Sequence, residues 1–261
     1  MNKDQLIKAL SEASSNEERE KIAVALSKLG SEIIPPLLDM VRNYKQEDDI
    51  TWAGLLSSLY KLKKEAIPTL ISFLDDPDTR VRVVIINSLS QINDKSVINL
   101  IITKLEDQNN NVRLAAIDAL GNFADESAIK PLIDTLNNSG EFINSHVTEA
   151  LVKIGNNVLE PLKTTFNDKS QADTVRSTAL YTIGKLKDFN SFEIIKKALL
   201  DENEHLEIRT SAALALGKLA DNRAIPILKN ISQSNINPKI LSSAEYALQQ
   251  LGEQNNNKLK I

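Results

Sequence analysis

Residues 109–132, NNNVRLAAIDALGNFADESAIKPL, decide the fold, because their pattern returns along the whole chain. The stretch holds a polar turn, a Val-Arg pair, a run of small residues closing on Ala-Leu-Gly, a second polar turn, and a segment with an early proline. With Gly121 as the reference, the equivalent place falls at Ser27, Tyr60, Ser90, Val152, Gly184, Gly217 and Gln249. Successive spacings are 33, 30, 31, 31, 32, 33 and 32 residues. One place earlier stand Leu26, Leu59, Leu89, Leu120, Leu151, Leu216 and Leu248, with Ile183 the exception. So steady a period is the signature of stacked supersecondary units, each of which touches only its neighbours. Eight units fill the chain, which reads as one elongated domain over residues 1–252. The polar, Asn-rich residues 253–261 are expected to fray.

Each unit reads as two helices. Apolar residues at helical spacing run over 112–123 and again over 128–136, with Asp125 to Ser127 as a capping turn between them. Prolines recur at Pro35, Pro36, Pro68, Pro131, Pro161 and Pro226, near the start of each second helix, where a missing N–H costs least. The opening units predict helices at about 3–13, 17–29, 31–44 and 49–63, and sixteen in all. No segment alternates with period two, so no strand is expected.

Composition sets further bounds. Aromatic residues are 4% and hydrophobic residues 42% of the 261, so the core must be built from Leu, Ile, Val and Ala. The absence of cysteine excludes a disulfide scaffold and Cys-ligated zinc. The first ten residues, MNKDQLIKAL, lack the apolar run of a signal peptide, and no run approaches the ~20 residues of a membrane span. A soluble cytoplasmic protein is expected. A net charge of −4 gives no global attraction for nucleic acid.

The run over 107–121, with its acid, Val-Arg pair, alanines and Ala-Leu-Gly, is met again with a longer turn over 201–217. It resembles the HEAT-like repeats of the phycobilisome-lyase type, and the resemblance covers nearly the whole chain. It implies an all-α, right-handed α-solenoid (superhelix) of about eight two-helix repeats. The helix with the Val-Arg pair would line the concave face and the helix with the proline would lie outside. The fold implies no single activity, because such repeats serve lyases, chaperones, adaptors and a few enzymes.

Eight places before the reference stand Arg19, Arg82, Arg113, Arg176 and Arg209, and Asp76, Asp107, Asp168 and Asp201 precede four of them in the turn. A guanidinium fork can bond a carboxylate and turn carbonyls together, so these residues read as a structural ladder of Asp and Arg from unit to unit. Binding is sought where the pattern varies, at seven, six and three places before the reference and one place after it, which point outward. The place after holds Lys28, Lys61, Lys153, Lys185 and Lys218, a basic ridge. The floor beside it is apolar in the first half, with Ala53, Gly54, Val83, Val84, Leu114 and Ala115. It turns to hydroxyls in the second, with Ser145, Ser177, Thr178, Thr210, Ser211, Ser242 and Ser243, from which Tyr181 and Tyr246 rise. His146 and Glu149, three residues apart, are expected to gather with Asp118 at the groove centre. Trp52 and Tyr60 are an anchor site or core packing.

No convergent catalytic set, Walker loop or nucleophile elbow is present. The repeated His-Glu dipeptides of deoxyhypusine hydroxylase are missing too. The expectation is a non-enzymatic, monomeric scaffold without cofactor or metal. It docks a protein or peptide with acidic and apolar anchors on Lys28, Lys61, Val83, Val84, Leu114, Asp118, His146, Glu149, Lys153, Tyr181, Lys185, Lys218 and Tyr246. The alternatives are a lyase-like subunit or chaperone for a chromophore-bearing protein, and a nucleic-acid binder of the DNA glycosylase kind.

Overall fold

The computed structural model describes residues 1–43, 49–138, 140–234 and 236–258, and their side chains except those of 49–54, 138 and 253–258. It divides into two compact units, Met1–Phe123 and Ala124–Ile261. Among the described residues are sixteen α-helices and no strand. The first unit holds α1 (Lys3–Glu12), α2 (Asn16–Ser27), α3 (Ile34–Asn43), α4 (Asp49–Tyr60), α5 (Ile67–Ile71), α6 (Thr79–Ile92), α7 (Ile98–Thr103) and α8 (Asn110–Phe123). The second holds α9 (Ile129–Thr135), α10 (Glu141–Ile154), α11 (Leu159–Asn167), α12 (Asp173–Lys185), α13 (Phe192–Leu200), α14 (Leu206–Leu219), α15 (Ala224–Ser232) and α16 (Pro238–Lys258). No helix of the described residues is long and apolar enough to cross a membrane.

Every reference place lies on an even-numbered helix, and the even helices stack on one another. In the first unit α2 packs on α4, α4 on α6 and α6 on α8; in the second α10 packs on α12, α12 on α14 and α14 on α16. Each odd helix packs against the even helix that follows it. Two helical layers per unit make this an α-solenoid. The leucine row explains the stacking: Leu26, Leu59, Leu89, Leu120, Leu151, Ile183 and Leu216 are all 0–1% exposed. Each such side chain contributes about 2 kcal/mol by leaving water. At Gly184 and Gly217 the even helices come too close for a side chain: a Cβ there would fall 2.5 Å from Ala215 and 2.8 Å from Ala247 of the next even helix.

The odd helices are shorter than the periodicity suggests. Most are entered through a 3-10 turn, as at residues 64–66, 95–97, 126–128, 156–158 and 189–191. The prolines fall within the first turn of α3, α5, α9, α11 and α15, where no helical N–H is lost.

Three places after the reference the backbone turns left-handed in seven consecutive repeats. Gly30, Lys63, Asn93, Ala124, Gly155, Lys187 and Ala220 all have positive φ, between 49° and 91°. Glycine fills only two of these places, so composition did not reveal the rule. After Asn93, Ala124, Lys187 and Ala220 comes an aspartate whose carboxylate accepts the N–H two residues on: Asp94 from Ser96, Asp125 from Ser127, Asp188 from Asn190 and Asp221 from Arg223. These Asx turns start the next odd helix. At Asp94 the Ser96 N–H, with help from Lys64, holds the carboxyl down to about 2.

Lys63 lacks that help and sits at φ 60°, ψ −163°, a region essentially reserved for glycine. Gly155 occupies the same region at φ 91°, ψ −155°. Lys63→Gly is therefore expected to stabilise the first unit by about 1 kcal/mol, and Gly155→Lys to destabilise the second by a similar amount. The midpoint of urea unfolding reads both, and equal midpoints for Lys63→Gly and the parent would refute the strain.

Candidate functional site

A groove in the even-helix layer lies in the second unit. It is open, about 890 Å³ in volume, crosses α10, α12 and α14 and reaches the first turn of α16. Its wall runs along each helix at spacings of three and four residues: Glu141, Asn144, Ser145 and Thr148 from α10, Thr174, Ser177, Thr178 and Tyr181 from α12, and Glu207, Thr210, Ser211 and Leu214 from α14. His205 and Lys239 close it. A helix presents such a row on one face, and the packing of even helix on even helix lays the rows side by side.

Four hydroxyls of the floor donate to helix carbonyls. Ser145 donates to the Phe142 carbonyl at 2.7 Å, Thr178 to Thr174 at 2.7 Å, and Thr210 to Leu206 at 2.8 Å. Ser177 Oγ lies 3.0 Å from the Thr174 carbonyl and 3.2 Å from Glu207 Oε1, so one proton serves two acceptors. Thr148 meets Thr182 at 3.2 Å, and Thr182 donates to Thr178. Ser145, Thr178 and Thr210 are left with oxygen lone pairs to offer, while Thr148, Ser177 and Thr182 are buried beneath them. Tyr181 is half-buried, and burial first, then the nearby Tyr246 and Glu149, pushes its phenol above the ordinary value. It stays protonated and can donate.

The places read as outward-facing hold unequally well. In the second unit Tyr181 lies in the groove and Leu214 occupies the equivalent place on α14. Tyr246 is 47% exposed, with Lys218 Nζ 6.0 Å from its ring centre. The His146 ring stands edge-on to Phe142 at 5.1 Å. Glu149 is bonded by Lys185 of the next even helix. Lys153 is exposed in the last turn of α10.

In the first unit Lys28 is exposed, Val83, Leu114 and Asp118 are half-buried, and Lys61 bonds Glu20 of α2 at 2.6 Å. Val84 corrects the sequence reading: it is 0% exposed and belongs to the core, as does Ala115. The place six before the reference turns under the neighbouring helix in these repeats rather than onto the open floor. Tyr60 is half-buried, and burial raises its phenol. The side chains of Trp52, Ala53 and Gly54 fall outside the described residues.

Two lysines of the expected ridge are cancelled in charge. Lys61 and Lys185 each reach back to a carboxylate on the preceding even helix, on α2 and α10. Sequence offers the spacing, but the acid sits about 36–41 residues earlier in another repeat and could be matched only once the stacking was known.

The arginine ladder is also different in detail. Arg82 makes a bidentate pair with Asp107 of the next repeat, 2.9 Å in both bonds, and caps the Asp76 carbonyl at 2.8 Å. Burial alone would raise the Asp107 carboxyl, but Arg82 and the Asn109 N–H outweigh it and hold it low. Arg176 instead takes Glu204, with bonds of 3.0 and 2.8 Å, while its Nε bonds the Phe166 carbonyl. Asp168 and Asp201 serve their own turns, accepting from the N–H of Ser170 and Asn203. Arg113 bonds the Asp107 carbonyl and Asn110, and Arg209 the Leu199 carbonyl. Unit-to-unit pairing therefore depends on whichever acid the next turn can deliver, and the longer turn over 201–205 delivers Glu204.

Glu141, Thr174, Glu207 and Lys239 were not singled out from sequence. They lie ten or eleven places before the reference, one helical turn beyond the outward row, and that continuation of the same face was the available signal.

Among known proteins, the family model for HEAT repeats matches residues 98–177 and 159–249. No curated protein matches the chain in sequence. Solved structures with similar folds include YIBA of E. coli, at 19% identity over 95% of this chain and 93% of that one, TM-score 0.46. Others are the complex of CpcE and CpcF of phycocyanin lyase from Nostoc (18%, 96% and 95%, TM-score 0.40) and human deoxyhypusine hydroxylase in complex with glycerol (18%, 96% and 96%, TM-score 0.39). The HEAT-repeat matches together run over residues 98–249, more than half of the 261, and agree with the stacked helix pairs, so the chain belongs to the HEAT-repeat family.

Proposed function

We propose that this chain is a non-catalytic scaffold that holds an extended protein segment against its even-helix layer, the side that the family resemblance makes concave. The observation that carries this reading is the open groove over α10, α12 and α14, large enough for side chains and lined by residues that the repeat pattern leaves free to vary. Tyr181, Leu214 and Tyr246 supply apolar contact beside it. Lys153, Lys185 and Lys218 form the edge that acidic side chains of the segment would face, with His146 and Glu149 at its α10 end. Lys28, Lys61, Val83, Leu114 and Asp118 offer a second patch on the first unit.

An extended chain rises about 3.3 Å per residue, so about eight residues cross three helices packed roughly 9 Å apart. Selection of a displayed library of random twelve-residue peptides on the immobilised full chain tests the reading. Peptides are expected to be enriched and to slow amide exchange in α10, α12 and α14. Thr178→Trp, which fills the floor, is expected to weaken them at least about tenfold, or about 1.4 kcal/mol. Lys153→Glu with Lys185→Glu should weaken those with acidic residues, more so at low salt. An absence of enrichment, or protection confined to the odd helices, overturns it.

A further inference from the structure

We infer that the docked segment is a left-handed polyproline helix with two apolar residues three places apart, one seated between Tyr181 and Leu214 and the other between Leu214 and Tyr246. This rests on the docking reading above and names the conformation of the occupant. Tyr181, Leu214 and Tyr246 hold the same place, three before the reference, on α12, α14 and α16. Tyr181 and Leu214 are half-buried on the groove wall and Tyr246 is 47% exposed, so the three form a row of ridges with two gaps between them. The glycines set the spacing of that row. A Cβ at Gly184 would lie 2.6 Å from the Ala215 Cα, and one at Gly217 2.9 Å from the Ala247 Cα, so backbone meets backbone at both contacts. With contacting Cα atoms about 4 Å apart and each about 2.3 Å from its own axis, α12, α14 and α16 follow one another at roughly 9 Å.

Of the regular backbones, polyproline II repeats at that distance. Its residues three apart share a face and lie about 9.3 Å from one another along the axis. A β-strand returns to the same face after about 6.6 Å and again after about 13 Å, and an α-helix after about 6 Å and about 10.5 Å. Polyproline II also makes no internal hydrogen bonds, so its carbonyls are free to accept. The phenols of Tyr181 and Tyr246 have no hydrogen-bond partner among the described residues and supply donors at the two ends of the row. Charge completes the match. Lys218, one helical turn beyond Leu214, has no ion-pair partner among the described residues, and its Nζ lies 6.0 Å from the Tyr246 ring centre. The residues between the two anchors pass over Leu214, so an aspartate or glutamate there meets the Lys218 ammonium.

The test uses the twelve-residue peptides enriched on the full chain. They are expected to share two apolar residues at a spacing of three, with an acid between them. Inserting or deleting one residue between the anchors should weaken binding at least about tenfold. Proline in place of the other intervening residue should keep or raise the affinity, because it presets the polyproline backbone. Truncating one anchor to alanine should cost little more once Tyr181→Ala has been made, and truncating the other little more once Tyr246→Ala has been made. Changing the acid to its amide should weaken binding several-fold to the parent and hardly at all to Lys218→Gln. All variants are compared at a temperature where circular dichroism shows them folded. Anchors two or seven places apart, binding abolished by the intervening proline, or affinities that couple to none of Tyr181, Lys218 and Tyr246 while amide protection still maps to the groove, overturn the inference and leave the docking reading standing. No enrichment at all removes both.

Discussion

Gly184→Ala is expected to destabilise the Ala124–Ile261 unit by about 3 kcal/mol, the upper part of what overpacking costs. A Cβ at Gly184 would lie 2.5 Å from the Ala215 carbonyl oxygen, 2.6 Å from its Cα and 2.7 Å from its Cβ. Two of those atoms are backbone, so no rotamer change relieves the clash and α12 must move away from α14. Alanine's helix propensity returns only about 1 kcal/mol. At roughly 2–4 °C per kcal/mol, the loss in melting temperature is about 10 °C. Removing the opposing Cβ by Ala215→Gly should rescue little, because the oxygen and Cα remain. Gly252→Ala is the matched control. That glycine is helical with nothing within 4 Å of a new Cβ, and the same chemical change should stabilise by up to about 1 kcal/mol. Thermal and urea unfolding followed by circular dichroism measure all three, and equal stabilities for Gly184→Ala and the parent would falsify the close approach.

Glu204→Gln should cost about 3 kcal/mol, because it leaves the Arg176 guanidinium, 4% exposed, without its charged partner. The remaining bond to Asp173 at 3.3 Å keeps the loss toward the lower end of what breaking a buried pair costs. Arg176 first, then Lys169 and the His205 N–H, hold the Glu204 carboxyl down at about 2 against an ordinary 4.5, although burial opposes them. A carboxyl depressed in the folded state stabilises it above its unfolded value and loses that contribution as pH falls. The window is thus pH 4.5 to 2, and the contribution about 3 kcal/mol. Wild type minus Glu204→Gln, measured by urea unfolding from pH 7 to 2.5, should shrink across that window. A difference that stays constant with pH would show that the carboxylate is not the source.

The period of 30–33 residues made the fold legible, because seven of the eight residues one place before the reference are buried against the next repeat. The early prolines marked the odd helices for a local reason that needs no tertiary knowledge. Val84 shows where periodicity stops being enough. Its place faces outward on an isolated helix, and only the neighbouring helix decides that it is core. The lysines show the same limit for charge: Lys61 and Lys185 are solvated cations in sequence, but stacking brings Glu20 and Glu149 to them. The hydroxyl half of the floor was visible as a string of Ser and Thr. That the protons of Ser145, Ser177, Thr178 and Thr210 go to helix carbonyls was not, since this depends on rotamers.

The left-handed residues three places after each reference have a modular consequence. Each return from an even helix to the next odd one is set within a few residues by backbone conformation, independently of what the next repeat contains. The left-handed joints at Asn93 and Ala220 therefore behave like matching couplings in a chain of links, while Lys63 and Gly155 make the same return with ψ of −163° and −155°. Duplicating residues 188–220, from just after one joint through the next, is expected to lengthen the array by one helix pair without disturbing its neighbours. The length of the surface that meets a partner can then grow or shrink by whole links while the sequence of every other link stays fixed.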